Sequence, residues 1–152
     1  MHIIYNLVLS FWIGGITIYT FIITPVIFKS FSRDMAGNIV GVLFPGYFWF
    51  NLILSVIALL LVLLAGLSFA KSGHRFSLLL IVLALIINIF VTFKLHPDVK
   101  EVKNQIHSFE SEAEDSSLRK RFAKLHGISA GLNLLLLADG VVLLIISTAL
   151  RK

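Results

Sequence analysis

The chain has 152 residues, 58% of them hydrophobic and 14% charged, with 13 Lys and Arg against 8 Asp and Glu. A soluble domain carries about 25% charged residues and about 45–50% apolar ones. The deficit of charge, with a mean hydropathy of +0.96, excludes a soluble enzyme, a nucleic-acid-binding module and a disordered tail. The net charge of +5 belongs to loops beside anionic lipid rather than to a nucleic-acid footprint. The absence of Cys excludes disulfides, thiolate metal sites and cysteine nucleophiles.

Every charge except Asp139 lies outside four apolar blocks, 3–28, 35–70, 76–93 and 127–150. A helix needs about 20 apolar residues to cross a ~30 Å hydrocarbon core. Four segments meet that length: 3–28, 47–70, 76–95 and 127–150. The first lacks a basic leading region and a small-residue cleavage site, so it reads as a retained span rather than a signal peptide. The fold class that follows is all-α: one domain, an integral membrane four-helix bundle with a short interfacial helix and a helical cytoplasmic loop.

After the first span, Ser32 is placed to cap a short helix from Arg33 to about Leu43. Phe44-Pro45-Gly46 is expected to break it before the second span. That short helix is mostly apolar and is expected at the interface. Beyond the third span, Pro97 can open a helix in which Val99, Val102, Ile106 and Phe109 recur at helical spacing. An acidic stretch over residues 110–115 follows. Ser116 or Ser117 then caps a last helix of about 34 residues, roughly 50 Å long, whose Leu118, Phe122 and Leu125 run in register into the fourth span.

Four spans put both termini on one side. That side holds Lys71, Arg75, Arg151 and Lys152, and the other side holds nine basic residues. The positive-inside rule predicts loops 29–46 and 96–126 in the cytoplasm and both termini outside, in a bacterial inner membrane. Arg119, Lys120, Arg121 and Lys124 fall at the depth of lipid headgroups, where they serve recognition of anionic lipid or simply set the topology.

Lipid offers no hydrogen bonds, so polar side chains within spans tend to face protein or a cavity. Plotted at 100° per residue, His2, Asn6, Ser10, Thr17, Thr20 and Thr24 form one stripe on the first span. Tyr47, Asn51 and Ser55 recur at i, i+4, i+8 on the second. Ser77, Asn88 and Thr92 share a face of the third; His126, Ser129 and Asn133 share a face of the fourth. Thr20 and Thr24, Asn51, Asn88 and Thr92, and Ser129 and Asn133 all come out roughly 3–12 Å from the cytoplasmic end at 1.5 Å per residue. This common level predicts a polar, cytoplasm-facing site in the bundle. The bland alternative is a set of interhelical hydrogen bonds that hold the helices together.

Asp139 lies roughly 18 Å deep, near the midplane, about 120° around its helix from Asn133. An intramembrane carboxyl is a functional candidate by default; here it is expected off the polar stripe, either handling a proton or cation or simply hydrogen-bonded. His96 and His126 share a level and are the candidate ligands for haem or copper, although His96 falls about 80° off the Asn88 direction. No catalytic motif occurs, so an enzyme is the less favoured reading.

Several stretches carry a family resemblance: Leu7-Val8-Leu9-Ser10 with Trp12, Leu43-Phe44-Pro45-Gly46-Tyr47, Leu95-His96-Pro97, Ser117-Leu118-Arg119, and Phe122-x-x-Leu125-His126-Gly127-Ile128-Ser129 with Asn133-Leu134. With these the chain resembles the transmembrane protein 205-like family and, more remotely, the copper resistance D superfamily. The resemblance implies a four-helix membrane domain linked to metal-drug tolerance, with haem-binding oxidases among the remote relatives. Its motif positions here are His126, Ser129, Asn133, Pro45 and Tyr47. The chain departs from the remote relatives at Tyr5, where they tend to carry His. Two functions follow as expectations: a site for a metal, haem or small polar solute, or an accessory subunit packed against other membrane subunits and the lipid bilayer.

Overall fold

A computed structural model describes residues 2–64, 71–111, 113 and 116–149, apart from the side chains of residues 71–74. Residues 65–70 and 150 of the expected second and fourth spans lie outside that description, as do three positions of the acidic stretch. Four helices are long and apolar enough to cross a membrane: α1 (His2–Ser30), α2 (Arg33–Leu64), α3 (Arg75–Gln105) and α4 (Ser117–Ala149). α1 packs on α2, α2 on α3, α3 on α4 and α4 on α1, a closed up-and-down bundle. Tyr5, Leu9, Trp12, Ile16, Val62, Ile81, Ala84, Leu136 and Leu143 form its core. Large apolar side chains such as Phe11, Leu79 and Ile145 are more than half exposed. Lipid is the solvent that makes such a surface stable, so the chain is an integral membrane protein.

The expected interfacial helix is not separate. α2 runs unbroken from Arg33 to Leu64 with Pro45 inside it. The proline ring presses on the carbonyl four residues earlier, which here belongs to Gly41, and packing on both sides holds the helix together. Ser32 does cap the helix, its Oγ accepting from the Met35 N–H at 3.4 Å. Ser116 caps α4 in the same way, through the Arg119 N–H at 3.3 Å. The last helix has 33 residues, close to the expected 34. The helix containing Pro97 is likewise no separate element in the loop; it continues the third span to Gln105.

Two π-helical turns, Tyr19–Ile23 in α1 and Val91–Leu95 in α3, stand just before Pro25 and Pro97. In each, the next N–H reaches back five residues: Thr24 to Tyr19 and His96 to Val91. The wider turn relieves the crowding that each proline imposes one turn earlier. It also rotates everything downstream by about one residue, roughly 100°. At ~1.5 Å per residue α2 and α4 are nearly 50 Å long, well beyond the ~30 Å hydrocarbon core. The surplus lies mainly at one end, where residues 33–45, 96–105 and 117–126 project past the expected spans together with the described residues of the connection between α3 and α4. We call this the loop end.

Candidate functional site

Three helices meet in one chain of hydrogen bonds toward the loop end. The Tyr47 hydroxyl on α2 donates to Asn133 Oδ1 on α4. Asn133 Nδ2 donates to Thr20 Oγ1 on α1 at 2.7 Å. Tyr47 therefore crosses the bundle, since α2 and α4 are not neighbours in the ring. Its phenol ring stacks on Tyr19 at 4.1 Å, the planes 17° apart. Asn51 Nδ2 donates to the Tyr47 carbonyl at 2.9 Å, which leaves Asn51 Oδ1 buried without a partner. The Tyr19 hydroxyl, Asn88 Nδ2 and Thr92 Oγ1 are buried and unpartnered as well. Burial without a hydrogen bond is costly, and these atoms run from the level of Tyr19 to that of Asn88, nearer mid-depth.

Beyond this layer a cavity of about 680 Å³ opens at the loop end. Phe28 of α1, residues 33–45 of α2, 96–104 of α3 and 119–127 of α4 enclose it, with Phe109 from the connection. Its walls are apolar: Phe28, Val40, Phe44, Val99, Phe109 and Phe122. The ionisable groups on it are Arg33, Lys100, Lys103, Arg119, His96 and His126; no Asp or Glu is among the described lining residues.

Local sequence explains how the cavity holds its shape. Lys103 lies across α2 at Gly37 and Gly41, where a Cβ would make only ordinary contact, 3.6 Å from Lys103 Cε and 3.4 Å from Nζ. Lys103 Nζ donates to the Gly37 carbonyl and to Asn38 Oδ1, both at 2.8 Å, tying α3 to α2. Asp34 pins the connection: the Ser108 hydroxyl donates to Oδ2 at 2.6 Å and the Phe109 N–H to Oδ1 at 2.7 Å. Both groups lie outside the apolar blocks. The Ser108 hydroxyl, then the Phe109 amide, hold the Asp34 carboxyl below the usual carboxylate range. Burial pushes the Lys103 ammonium down, opposed by nearby Asp34. The clasp sets the Phe109 ring edge-on to Phe122, centroids 5.0 Å apart. His126 stacks on the other side of this aromatic group, 5.7 Å from Phe122 with planes 6° apart. His96 packs against Phe48 and Phe44 at 5.1 and 6.0 Å.

The sequence-predicted residues divide between the two regions. Thr20, Tyr47, Asn51 and Asn133 share the hydrogen-bonded layer. Asn88 and Thr92 bring buried, unpartnered polar atoms. His126 is not in that layer; it lines the cavity two turns nearer the loop end, together with His96. Ser129 and Thr24 are half-buried and take no part in the Tyr47–Asn133–Thr20 chain. The α1 stripe is partly illusory, because Ser10 and Thr17 bond to carbonyls of their own helix, at Asn6 and Ile13. The basic set splits: Arg119 lines the cavity, whereas Lys120, Arg121 and Lys124 are exposed.

His96, expected about 80° off the Asn88 face, returns to within roughly 20° of it once the π turn is counted. Asp139 is not turned away from the interior. Leu136, Gly140, Leu143 and Ser147 mark the buried line of α4, and Asn133 and Asp139 flank it on either side. An inward arc of about 120° contains both, within the range of a broad helix face. Tyr19, Lys100, Lys103 and the Asp34–Ser108 clasp were not expected. The Thr24-Pro25 and His96-Pro97 pairs were the available signal for the two rotated faces.

Fold and site define an all-α, four-span integral membrane protein with an apolar, cation-lined cavity at one end. A family model described as a domain of unknown function (DUF4149) matches residues 7–108. An "Uncharacterized protein" from Aquifex aeolicus (strain VF5) is 34% identical over 140 residues, covering 91% of each chain. The chain belongs to the DUF4149 family. No solved structure matches it.

Proposed function

We propose that the loop-end cavity binds an amphipathic anion: an apolar body with a carboxylate or phosphate head. The observation that carries this is the lining, apolar walls whose only charged members are basic. The volume, about 680 Å³, falls in the range of about 300–1,000 Å³ that holds small ligands. The cavity also straddles the expected membrane surface. An acyl chain would reach it from the bilayer side while its head met Lys100 and Arg119. The opening faces the cytoplasm in this reading, which rests on the nine-to-four split of basic residues and the positive-inside rule.

Haem is one member of this ligand class, an apolar ring with two carboxylates. A specific observation favours considering it: both candidate imidazoles, His96 and His126, line the one cavity. They would hold its iron, which would supply redox chemistry. A bare copper ion is less well served, since no group of three His, Asp or Glu exists among the described residues. The resemblance to the transmembrane protein 205-like family and the copper resistance D superfamily supports a ligand in this place, because its motif residues Pro45 and His126 both line the cavity.

Two variants test the reading. Lys100→Glu reverses a cation at the cavity, and Ala123→Trp fills it. Each should weaken binding of a fluorescent fatty-acid probe by about tenfold or more, which is about 1.4 kcal/mol, while helicity is unchanged. Unaltered probe binding in both would refute the assignment. A Soret band in the purified protein, lost in His96→Ala and His126→Ala, would specify haem within the class.

A further inference from the structure

We propose a second site, at mid-depth in the bundle, where Asp139 takes up and releases a proton beneath two buried N–H donors, Trp12 Nε1 and Asn88 Nδ2. The placement follows from contacts between helices. On α1 and α4, Thr20 meets Asn133, Ile13 lies against Gly140, and Asn6 accepts from Ser147 at 2.6 Å. That antiparallel register sets Asp139 level with Gly14, about 3 Å in depth from Trp12. On α2 and α3, Phe48 meets His96 and Trp49 meets Phe93, which brings Asn88 level with Ser55. On α1 and α2, Tyr19 meets Tyr47 and Gly15 adjoins Phe50, which brings Ser55 within about one turn of Trp12. Four helices thus supply Trp12, Ser55, Asn88 and Asp139 at one level.

All four residues point inward. Trp12 and Ser55 are 0% exposed, Asn88 2% and Asp139 8%. Ser55 bonds to the carbonyl of Leu52. Trp12 Nε1, Asn88 Nδ2 and Asp139 Oδ2 have no hydrogen-bond partner. Around α4, Asn133 and Gly140 lean toward α1, and Asp139 is on the other flank, toward α3 and Asn88. Two orphaned donors and one orphaned carboxylate oxygen at one depth form a complementary set.

The species is a proton rather than a metal cation. N–H groups present their positive ends, which favour an ionised carboxylate and repel a cation. Burial opposes the ionised form, since a carboxylate in a low-dielectric interior costs several kcal/mol. Uptake and release of a proton require these two opposing effects to come close to balance, so that both protonation states are reached. The other titratable groups on the surrounding elements are few. α1 brings the buried Tyr5, with His2 toward the terminal end and Tyr19 and Lys29 toward the loop end. α2 brings Tyr47, two turns away. α3 has none between Arg75 and Lys94, and α4 has none besides Asp139 beyond His126, Lys124, Arg121, Lys120 and Arg119, which all lie far toward the loop end. No Lys or Arg shares the level, so the proton is the counter-species the chain itself provides for.

Infrared difference spectra of the protein reconstituted in lipid, taken between acid and alkaline buffer, test this. The full chain should show a protonated-carboxyl stretch that disappears on alkalinisation and is missing from Asp139→Asn. Trp12→Phe and Asn88→Leu each remove a donor to the ionised form. Each should raise the ratio of protonated to ionised carboxyl at a fixed intermediate pH by about tenfold or more, the effect of one charge-assisted hydrogen bond. A band unchanged by pH, or still present in Asp139→Asn, overturns the proposal. So does a protonated fraction unaltered in both donor variants, which makes the test independent of how well Asp139→Asn folds.

Discussion

Replacing Tyr47 by Phe and Asn133 by Leu, singly and together, tests whether the three-helix hydrogen-bond chain is energetically real. Tyr47→Phe keeps the ring that stacks on Tyr19 and removes only the hydroxyl that donates to Asn133. Asn133→Leu removes that bond and the 2.7 Å bond to Thr20. Interhelical hydrogen bonds in membranes average about 0.6 kcal/mol and reach about 1.7. The two bonds of Asn133 would then total about 1.2 kcal/mol, offset in part by the extra apolar surface of Leu. That offset makes single costs ambiguous, so the coupling is the discriminating quantity. We expect a coupling of about 0.6–1.7 kcal/mol between positions 47 and 133. The assay is unfolding in mixed micelles with increasing SDS, followed by circular dichroism. Tyr47→Phe paired with Ser147→Ala is the control. Ser147 bonds to Asn6, 14 residues or about 21 Å along α4 from Asn133, so these changes should add. Additivity within about 0.3 kcal/mol for the 47–133 pair would refute the reasoning.

Gly14 and Gly15 should respond oppositely to Ala. A Cβ at Gly14 meets nothing within 4 Å, whereas one at Gly15 would come 2.5 Å from Phe50 Cε1; Gly15→Ala should be about 1–3 kcal/mol the worse of the two by the same SDS titration. The Asp34 clasp should open on acidification. Its folded-state pKa is depressed, so its contribution is full above the unfolded value near ~4 and is lost as pH falls through the lower folded value. The Phe109 amide resonance should move in that acid range and, at neutral pH, in Asp34→Asn; a resonance insensitive to both would dismiss the clasp. Arg75→Cys and Lys120→Cys, introduced singly into a chain that has no Cys, should be labelled by an impermeant maleimide from opposite sides of the membrane. Labelling from the same side would discard the four-span topology.

The bundle could be read from the sequence because charge is the clearest signal in a membrane protein: excluded charges located all four spans. The polar layer was largely legible too. Thr20, Asn51 and Asn133 were expected at one depth, with Tyr47 one turn before Asn51, and Tyr47, Asn133 and Thr20 are hydrogen-bonded there. What failed was rotation. A uniform 100° step cannot register the π turns before Pro25 and Pro97, so His96 was set on the wrong face. A single stripe direction cannot represent an inward arc wide enough to bury both Asn133 and Asp139. Hydroxyls that bond to their own backbone, as at Ser10, Thr17 and Ser55, add to a polar stripe without joining one helix to another. The cavity itself had no sequence signature, because its walls come from all four helices and Phe109 of the connection, with Lys103 tying α3 to α2 beside it.

The most direct measurement is the mass of what the protein carries. Gentle purification in a mild non-ionic detergent, organic extraction and mass spectrometry should return one amphipathic anion near one equivalent per chain, depleted in Lys100→Glu and in Ala123→Trp. Protein that is folded and monodisperse, yet yields only neutral or zwitterionic lipid in amounts unaltered by either variant, would contradict the account.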